Sequence, residues 1–180
     1  MKTFKSVVVV NAPLDLMWSV VRDRLPELVS SMDDIEKVVV TERTEIAEDQ
    51  LGFTNEWHAR VRVPEMLRTA LKADAIGWTD RNVWNARERV CRWSIEPWLL
   101  RGGIGCSGET RYEAAIGGRG TRITFEGRFE LSPGALTGIA GALAGPITPF
   151  VESIVSNLIP RNLRKVIEAA ARTPQPSSTP

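Results

Sequence analysis

Ile147-Thr-Pro-Phe-Val-Glu-Ser-Ile-Val-Ser-Asn-Leu-Ile-Pro-Arg-Asn-Leu-Arg-Lys-Val-Ile-Glu-Ala-Ala-Ala171 is the stretch around which the chain is organised. Apolar residues fall at Ile147, Val151, Ile154, Val155, Leu158, Leu163, Val166, Ile167 and Ala170. Glu152, Ser156, Arg164, Lys165 and Glu168 lie between them. This is helical spacing with a broad apolar face. Thr148 and Pro149 supply a cap and a good first helical residue. Glu152 near the start, and Arg164 and Lys165 further on, suit the two ends of the helix dipole. Pro160 shares the polar face, so it predicts an outward-facing bend rather than a break, at a cost of ~3 kcal/mol in an ordinary helix. A helix with so wide an apolar face needs a broad apolar surface to cover it.

The upstream chain reads as strands that supply that surface. Phe4, Ser6, Val8 and Val10 alternate with Lys5, Val7 and Val9, which is the period-2 pattern of a strand. Pro13 opens a helix with Leu14, Met17, Trp18, Val21 and Leu25 on one face; Pro26 ends it, and a second short helical turn follows over Glu27–Met32. Strands are expected at Ile35–Thr44, Gly52–Val63, Ile76–Trp84, Val90–Glu96, Ile104–Ile116 and from Gly120 to Leu131, with a short helix at Glu65–Leu71. Gly117-Gly-Arg-Gly120 is a strong turn signal. Centring that turn between Gly118 and Arg119 sets Tyr112 opposite Phe125 and Thr110 opposite Gly127. A turn near Trp98 and Leu99 sets Cys91 opposite Cys106. The expected fold is α+β: two short helices after the first strand, then an antiparallel meander. Six to seven strands form a curved sheet wrapped around the long C-terminal helix.

Composition narrows the function classes. The 180 residues are 43% hydrophobic with a net charge of +1, enough for one cored domain, expected over residues 1–171. Lys and Arg are scattered, which argues against nucleic acid as a partner. No apolar run reaches the ~20 residues of a membrane span, and Val7–Val10 is too short for a signal-peptide core, so a cytoplasmic location is the expectation. Residues 172–180 form a polar, proline-rich tail expected to lack order.

The order of elements resembles the helix-grip fold of the START and Bet v 1-like superfamily, also called the SRPBCC or polyketide cyclase/lipid-transport superfamily. Val8-Val-Val-Asn-Ala-Pro13 with Met17-Trp18 and Val21-Arg22-Asp23 is similar to its first strand and opening helix. Gly120-Thr-Arg-Ile-Thr-Phe-Glu-Gly127 is similar to its final strand. The resemblance covers residues 1–171 and comes nearest to an uncharacterised START-like bacterial family; PRELI-type phospholipid carriers share the order. It implies a hydrophobic small-molecule ligand, lipid-like or polycyclic, held between sheet and long helix. No cofactor is assigned, and no metal, since two cysteines alone do not make a zinc site.

Alternation then nominates the lining. Trp57, Ala59, Trp84, Cys91, Trp93, Cys106, Thr110, Tyr112, Phe125 and Phe129 come from the sheet, and Ile154 and Leu158 from the helix. Thr110 and Tyr112 would orient a ligand or bond to backbone and water in a filled core. Inward Gly108 and Gly127 would leave space or let the helix approach. Asp80 and Asn82 share alternation with Ile76, Trp78 and Trp84, but two inward polar groups need partners. A bulge or turn that puts them outside is therefore expected. Leu136, Ile139 and Leu143, in the glycine-rich loop Ser132–Pro146, are candidates for a lid and for transient membrane contact. His58, the sole histidine, lies with Glu56, Arg60 and Arg62 on the solvent face. Cys91 and Cys106 read as buried thiols, though a disulfide stays open. No catalytic residue is assigned. With no His, Arg or Lys on the inward faces, binding ranks above a cyclase or aromatase; a filled-core interaction protein is the third reading.

Overall fold

Unbroken alternation produces long strands, and their pairing decides everything else. The computed structural model describes residues 2–30, 32–66, 68, 75–99, 101–132, 134 and 141–174. β1 (Lys2–Val10) leads through Pro13 into α1 (Leu14–Asp23) and α2 (Leu25–Val29). The meander follows as β2 (Ile35–Ala47), β3 (Gln50–Arg62), β4 (Ala75–Asn85), β5 (Val90–Pro97), β6 (Ile104–Ala115) and β7 (Gly120–Leu131). All neighbours are antiparallel in one sheet of order β1-β7-β6-β5-β4-β3-β2. The edges β1 and β2 are consecutive in sequence, so α1 and α2 carry the chain from one edge of the sheet to the other. Pro13 precedes α1 with its carbonyl accepting from Met17 N–H at 3.0 Å. Pro26 sits in the first turn of α2, where its missing N–H costs nothing; the second helix thus begins at Leu25, not at Glu27. The helix expected over Glu65–Leu71 lies largely outside the described residues.

The inner faces agree with alternation, but two registers differ from expectation. Tyr112 opposes Ile123 and Thr110 opposes Phe125. The turn is centred one residue earlier than expected because Ile116, Gly117 and Gly118 all take positive φ (51°, 61° and 86°). Between β5 and β6 the shift is larger. Trp98 N–H still bonds to Gly77 on β4 at 2.9 Å, which delays the turn, so Cys91 opposes Thr110 and Cys106 opposes Ile95. Both offsets are even. An even slip preserves which face each side chain takes, so the predicted faces survive the wrong partners.

The C-terminal helix begins earlier than its cap signal. α3 (Gly141–Ser153) already includes Thr148, with Pro146 and Pro149 inside it. A π-helical turn over Ile154–Leu158 joins it to α4 (Ile159–Ala171). The widened turn directly precedes Pro160, whose ring would otherwise press on the carbonyl one turn back. Pro160 is half-buried and borders a recess with Ser6, Val8 and Ile123. It therefore sits over β1 and β7 rather than on the outer side. α4 buries Ile159, Asn162, Val166, Ile167 and Ala170, and packs on α1, α2 and β1. Among the described residues, no helix is long and apolar enough to cross a membrane. The expected tail lies outside the described residues beyond Pro174, as do Leu136 and Ile139; Leu143 falls on the backbone of α3.

Candidate functional site

A partly open cavity lies between the inner sheet face and the helices. β3 contributes Phe53, Asn55 and Trp57; β4 contributes Trp78, Asp80, Asn82 and Trp84; β5, β6 and β7 add Cys91, Trp93, Ile95, Thr110, Tyr112 and Phe125. Val21, Arg22 and Leu25 close it from α1 and α2, and Ile159, Asn162, Leu163 and Val166 from α4. The cavity has a volume of about 80 Å³. At roughly 10–15 Å³ per water centre, this is room for about five to eight waters, well below the roughly 300–1,000 Å³ of ordinary ligand pockets. Side chains fill much of the space between sheet and helix.

Aromatic rings do most of that filling. Trp93 stacks on Phe125 (4.7 Å, 17°) and on Phe4 (6.2 Å, 20°). Its indole N–H donates to Thr110 Oγ1 at 3.2 Å. Gly108 and Gly127 make this possible: a Cβ on Gly127 would come within 2.6 Å of Trp93 and 2.5 Å of Phe4, and one on Gly108 within 2.5 Å of Trp93. The inward glycines thus admit an indole, not the helix and not a guest. Trp18 meets Trp84 and Tyr112 edge to face at 4.9 and 5.3 Å, and Trp57 stacks on Trp78 at 5.5 Å.

The polar end of the cavity is built on β3 and β4. From Trp78 to Asn85, β4 pairs with β3 and with β5 without a register shift. Asp80 and Asn82 therefore point inward with Trp78 and Trp84, and the expected outward placement is overturned. The partners they need are present. Asn55 Nδ2 and Asn82 Nδ2 both donate to Asp80 Oδ2, at 3.2 and 2.8 Å. Asn82 Oδ1 accepts from Trp84 Nε1 at 2.7 Å. Asp80 is half-buried and lines the cavity. Burial pushes it up to about 6, against the lowering effect of Asn55, Asn82 and the more distant Trp57 indole. Three buried polar atoms have no partner among the described residues: Asn55 Oδ1, Trp57 Nε1 and Asn162 Oδ1. All three residues line this cavity. The Trp57 indole leans on the Asp80 carboxylate without reaching hydrogen-bonding geometry.

Arg22 is the cation that sequence reasoning missed, because it comes from α1 and not from an inward strand position. Its guanidinium is held by its neighbour, with Nε and Nη2 donating to the Asp23 carboxylate at 2.9 and 2.7 Å. Burial, and for Tyr112 also the nearby Cys91, pushes the Tyr112 hydroxyl and the Cys91 thiol well up.

Trp57, Trp84, Cys91, Trp93, Thr110, Tyr112 and Phe125 border the cavity as expected from alternation. Ala59, Cys106, Phe129, Ile154 and Leu158 are buried in the surrounding core instead. The helix contributes Ile159 and the residues after Pro160, not Ile154 or Leu158. Cys91 and Cys106 are free thiols. Four residues of register separate Cys106 from the Cys91 partner position, about 13 Å along the strand, too far for a disulfide. Burial pushes the Cys106 thiol up to about 12. His58 packs edge to face on Trp98 at 4.8 Å, away from the cavity. Asn55 was legible from parity with Trp57, and Asn162 was not: a lone asparagine on an apolar helix face carries no signal of its own.

The profile of the family described as polyketide cyclase/dehydrase and lipid transport matches residues 1–171. No curated protein sequence matches the chain. Among solved structures, TTHA0849 of Thermus thermophilus superposes with a TM-score of 0.63 at 15% identity, covering 94% of this chain and 97% of that one. The Zhui aromatase/cyclase of Streptomyces sp. R1128 does so at 0.62 and 18%, covering 95% and 94%. Ara h 8.0201 gives 0.57 and 14%, covering 94% and 95%. At these identities the likeness establishes the helix-grip fold.

Proposed function

We propose, for a chain that belongs to the polyketide cyclase/dehydrase and lipid transport family, that it binds a small, largely apolar molecule between the sheet and α4. The observation that carries this reading is a cavity walled by aromatic rings with one carboxyl, Asp80, at its polar end. The volume, room for about five to eight non-hydrogen atoms, favours a small guest over a lipid chain or polycycle. Such a protein acts as a carrier or sensor, in a compartment where Cys91 and Cys106 stay reduced; the cytoplasm fits. Native mass spectrometry of protein purified without detergent tests the reading. A bound mass that leaves on denaturation is expected. A bare polypeptide mass, with no small apolar probe taken up on titration, refutes it.

A second reading, acid–base catalysis on a bound carbonyl compound, is favoured by Asp80. A buried carboxyl held near 6 inside a cavity matches a general base working near neutral pH. The measurement is deuterium exchange at the carbon next to the carbonyl of a small bound ketone. Exchange abolished by Asp80→Asn supports catalysis, and exchange at the buffer rate refutes it.

A further inference from the structure

β2 ends the sheet, so one of its two backbone edges meets no strand among the described residues. Every residue from Val39 to Asp49 is exposed, as are Glu36 and Lys37. Val39 and Val40 each leave 39% of their surface open. Among the described residues, Glu36, Lys37 and Arg43 form no salt bridge, and Glu42 accepts only from the hydroxyls of Thr44 and Thr54. The opposite edge differs. The charged residues of β1 are Lys2 and Lys5, and each already faces an acid of its own chain, Glu152 and Glu126. Charges and bulges on an edge commonly turn other strands away. On β2 their order is self-complementary: Glu36-Lys37 near one end and Glu42-Arg43 further on both read acid then base. Laid antiparallel against itself, this strand brings each acid to a base.

We propose that this edge pairs with the β2 edge of a second copy of the chain, antiparallel about a twofold axis at Val39. The register with β3 sets the faces. Val38 and Val40 stand opposite Trp57 and Asn55 and share the inner face; Lys37, Val39 and Glu42 stand opposite His58, Glu56 and Thr54 and share the outer face. Thr41 has no partner on β3 and is the extra residue of a bulge. With Val39 on the axis and Thr41 again passed over, Val38 faces the partner's Val40, Lys37 the partner's Glu42, and Glu36 the partner's Arg43. Opposed residues from Lys37 to Glu42 then share a face, as strand pairing requires. Without the bulge, Glu36 would meet the partner's Glu42, a destabilising like-charge pair. The axis makes each ion pair occur twice. The two seven-stranded sheets join into one, with both inner faces on the same side. Such a contact closes on itself, whereas β1 against β2 would repeat without end. An interface one strand wide belongs to the small class below about 1,200 Å², that of weak and transient complexes.

Sedimentation velocity of the full chain at low salt, from about 1 to about 100 μM, covers the range in which a weak interface assembles. The expected result is a monomer at the bottom of the range and a species of twice the 19.9 kDa chain mass at the top. Lys37→Glu and Glu42→Lys each turn two attractions into repulsions, at exposed positions outside the cavity. Each should weaken the dimer about tenfold. The double variant restores opposite charges across the axis and should return to within about threefold of the parent. A parent that stays monomeric throughout overturns the proposal. A dimer that either reversal leaves unchanged forms elsewhere on the chain and overturns it too. A double variant as weak as the single ones overturns the pairing of Lys37 with Glu42, and growth beyond the dimer overturns the twofold axis.

Discussion

Replacing Asp80 by Asn is expected to stabilise the protein at neutral pH, although it removes a carboxylate that accepts two hydrogen bonds. Burial holds the carboxyl near 6 in the fold, against an ordinary value of 3.8. The folded state therefore binds this proton more tightly than the unfolded state does. The sign follows directly: Asp80 favours folding most below pH 4, and that contribution is lost as pH rises through 6. At about 1.36 kcal/mol per factor of ten in proton affinity, the difference amounts to ~3 kcal/mol by pH 7.5. Asparagine avoids the loss. Its Oδ1 can accept from Asn55 and Asn82 as Asp80 Oδ2 does. The assay is urea unfolding of both proteins at pH 4.0 and 7.5, followed by the fluorescence of the six tryptophans. The variant should exceed the parent by about 2–3 kcal/mol at pH 7.5, or ~4–12 °C in melting temperature for a chain of this size. At pH 4.0 the gap should close. A variant that is less stable at pH 7.5, or a gap that does not change with pH, would refute the argument that Asp80 is buried without a counter-charge.

Gly108→Ala places a Cβ against the Glu126 carbonyl oxygen and the Trp93 ring, and backbone cannot yield cheaply. The loss should reach about 3 kcal/mol in urea unfolding, the upper end of overpacking. Trp93→Ala removes the ring stacked on Phe125 and on Phe4 and leaves Thr110 without its donor. A cost of ~3–5 kcal/mol is expected, with increased binding of a hydrophobic dye as the cavity enlarges. Cys91 and Cys106 should resist a thiol reagent in the native protein at pH 8, since both are buried and their thiols are pushed up. Two thiols should titrate after unfolding; rapid native reaction of either would contradict its burial.

Much of the fold was legible because strands encode their faces locally. Once Trp57, Trp84, Cys91, Trp93, Tyr112 and Phe125 are read as inward, an even slip in pairing leaves them inward, so two misjudged registers do no harm to the faces. Where a residue's expected cost is allowed to override its parity, the reading fails. Asp80 and Asn82 alternate with Trp78 and Trp84, yet an outward placement is expected for them because their partners are not visible in the sequence. Those partners are each other, Asn55 on the next strand and an indole two residues along.

Residue order by itself determined the meander, the two helices after β1, the long terminal helix and the inward aromatic rows, because periods of 2 and 3.6 are properties of the backbone. Only the tertiary structure decided how much space those rows leave. That depends on Trp93 lying flat over Gly108 and Gly127, on a π-helical turn ahead of Pro160 that sets which turn of α4 faces the sheet, and on α1 bringing Arg22 to the wall. Volume and unmet hydrogen bonds arise between elements distant in sequence, so no local pattern records them. The terminal helix was readable as needing an apolar partner; that it also carries Asn162 into a cavity with an unpaired carboxyl became visible only once the elements were packed together.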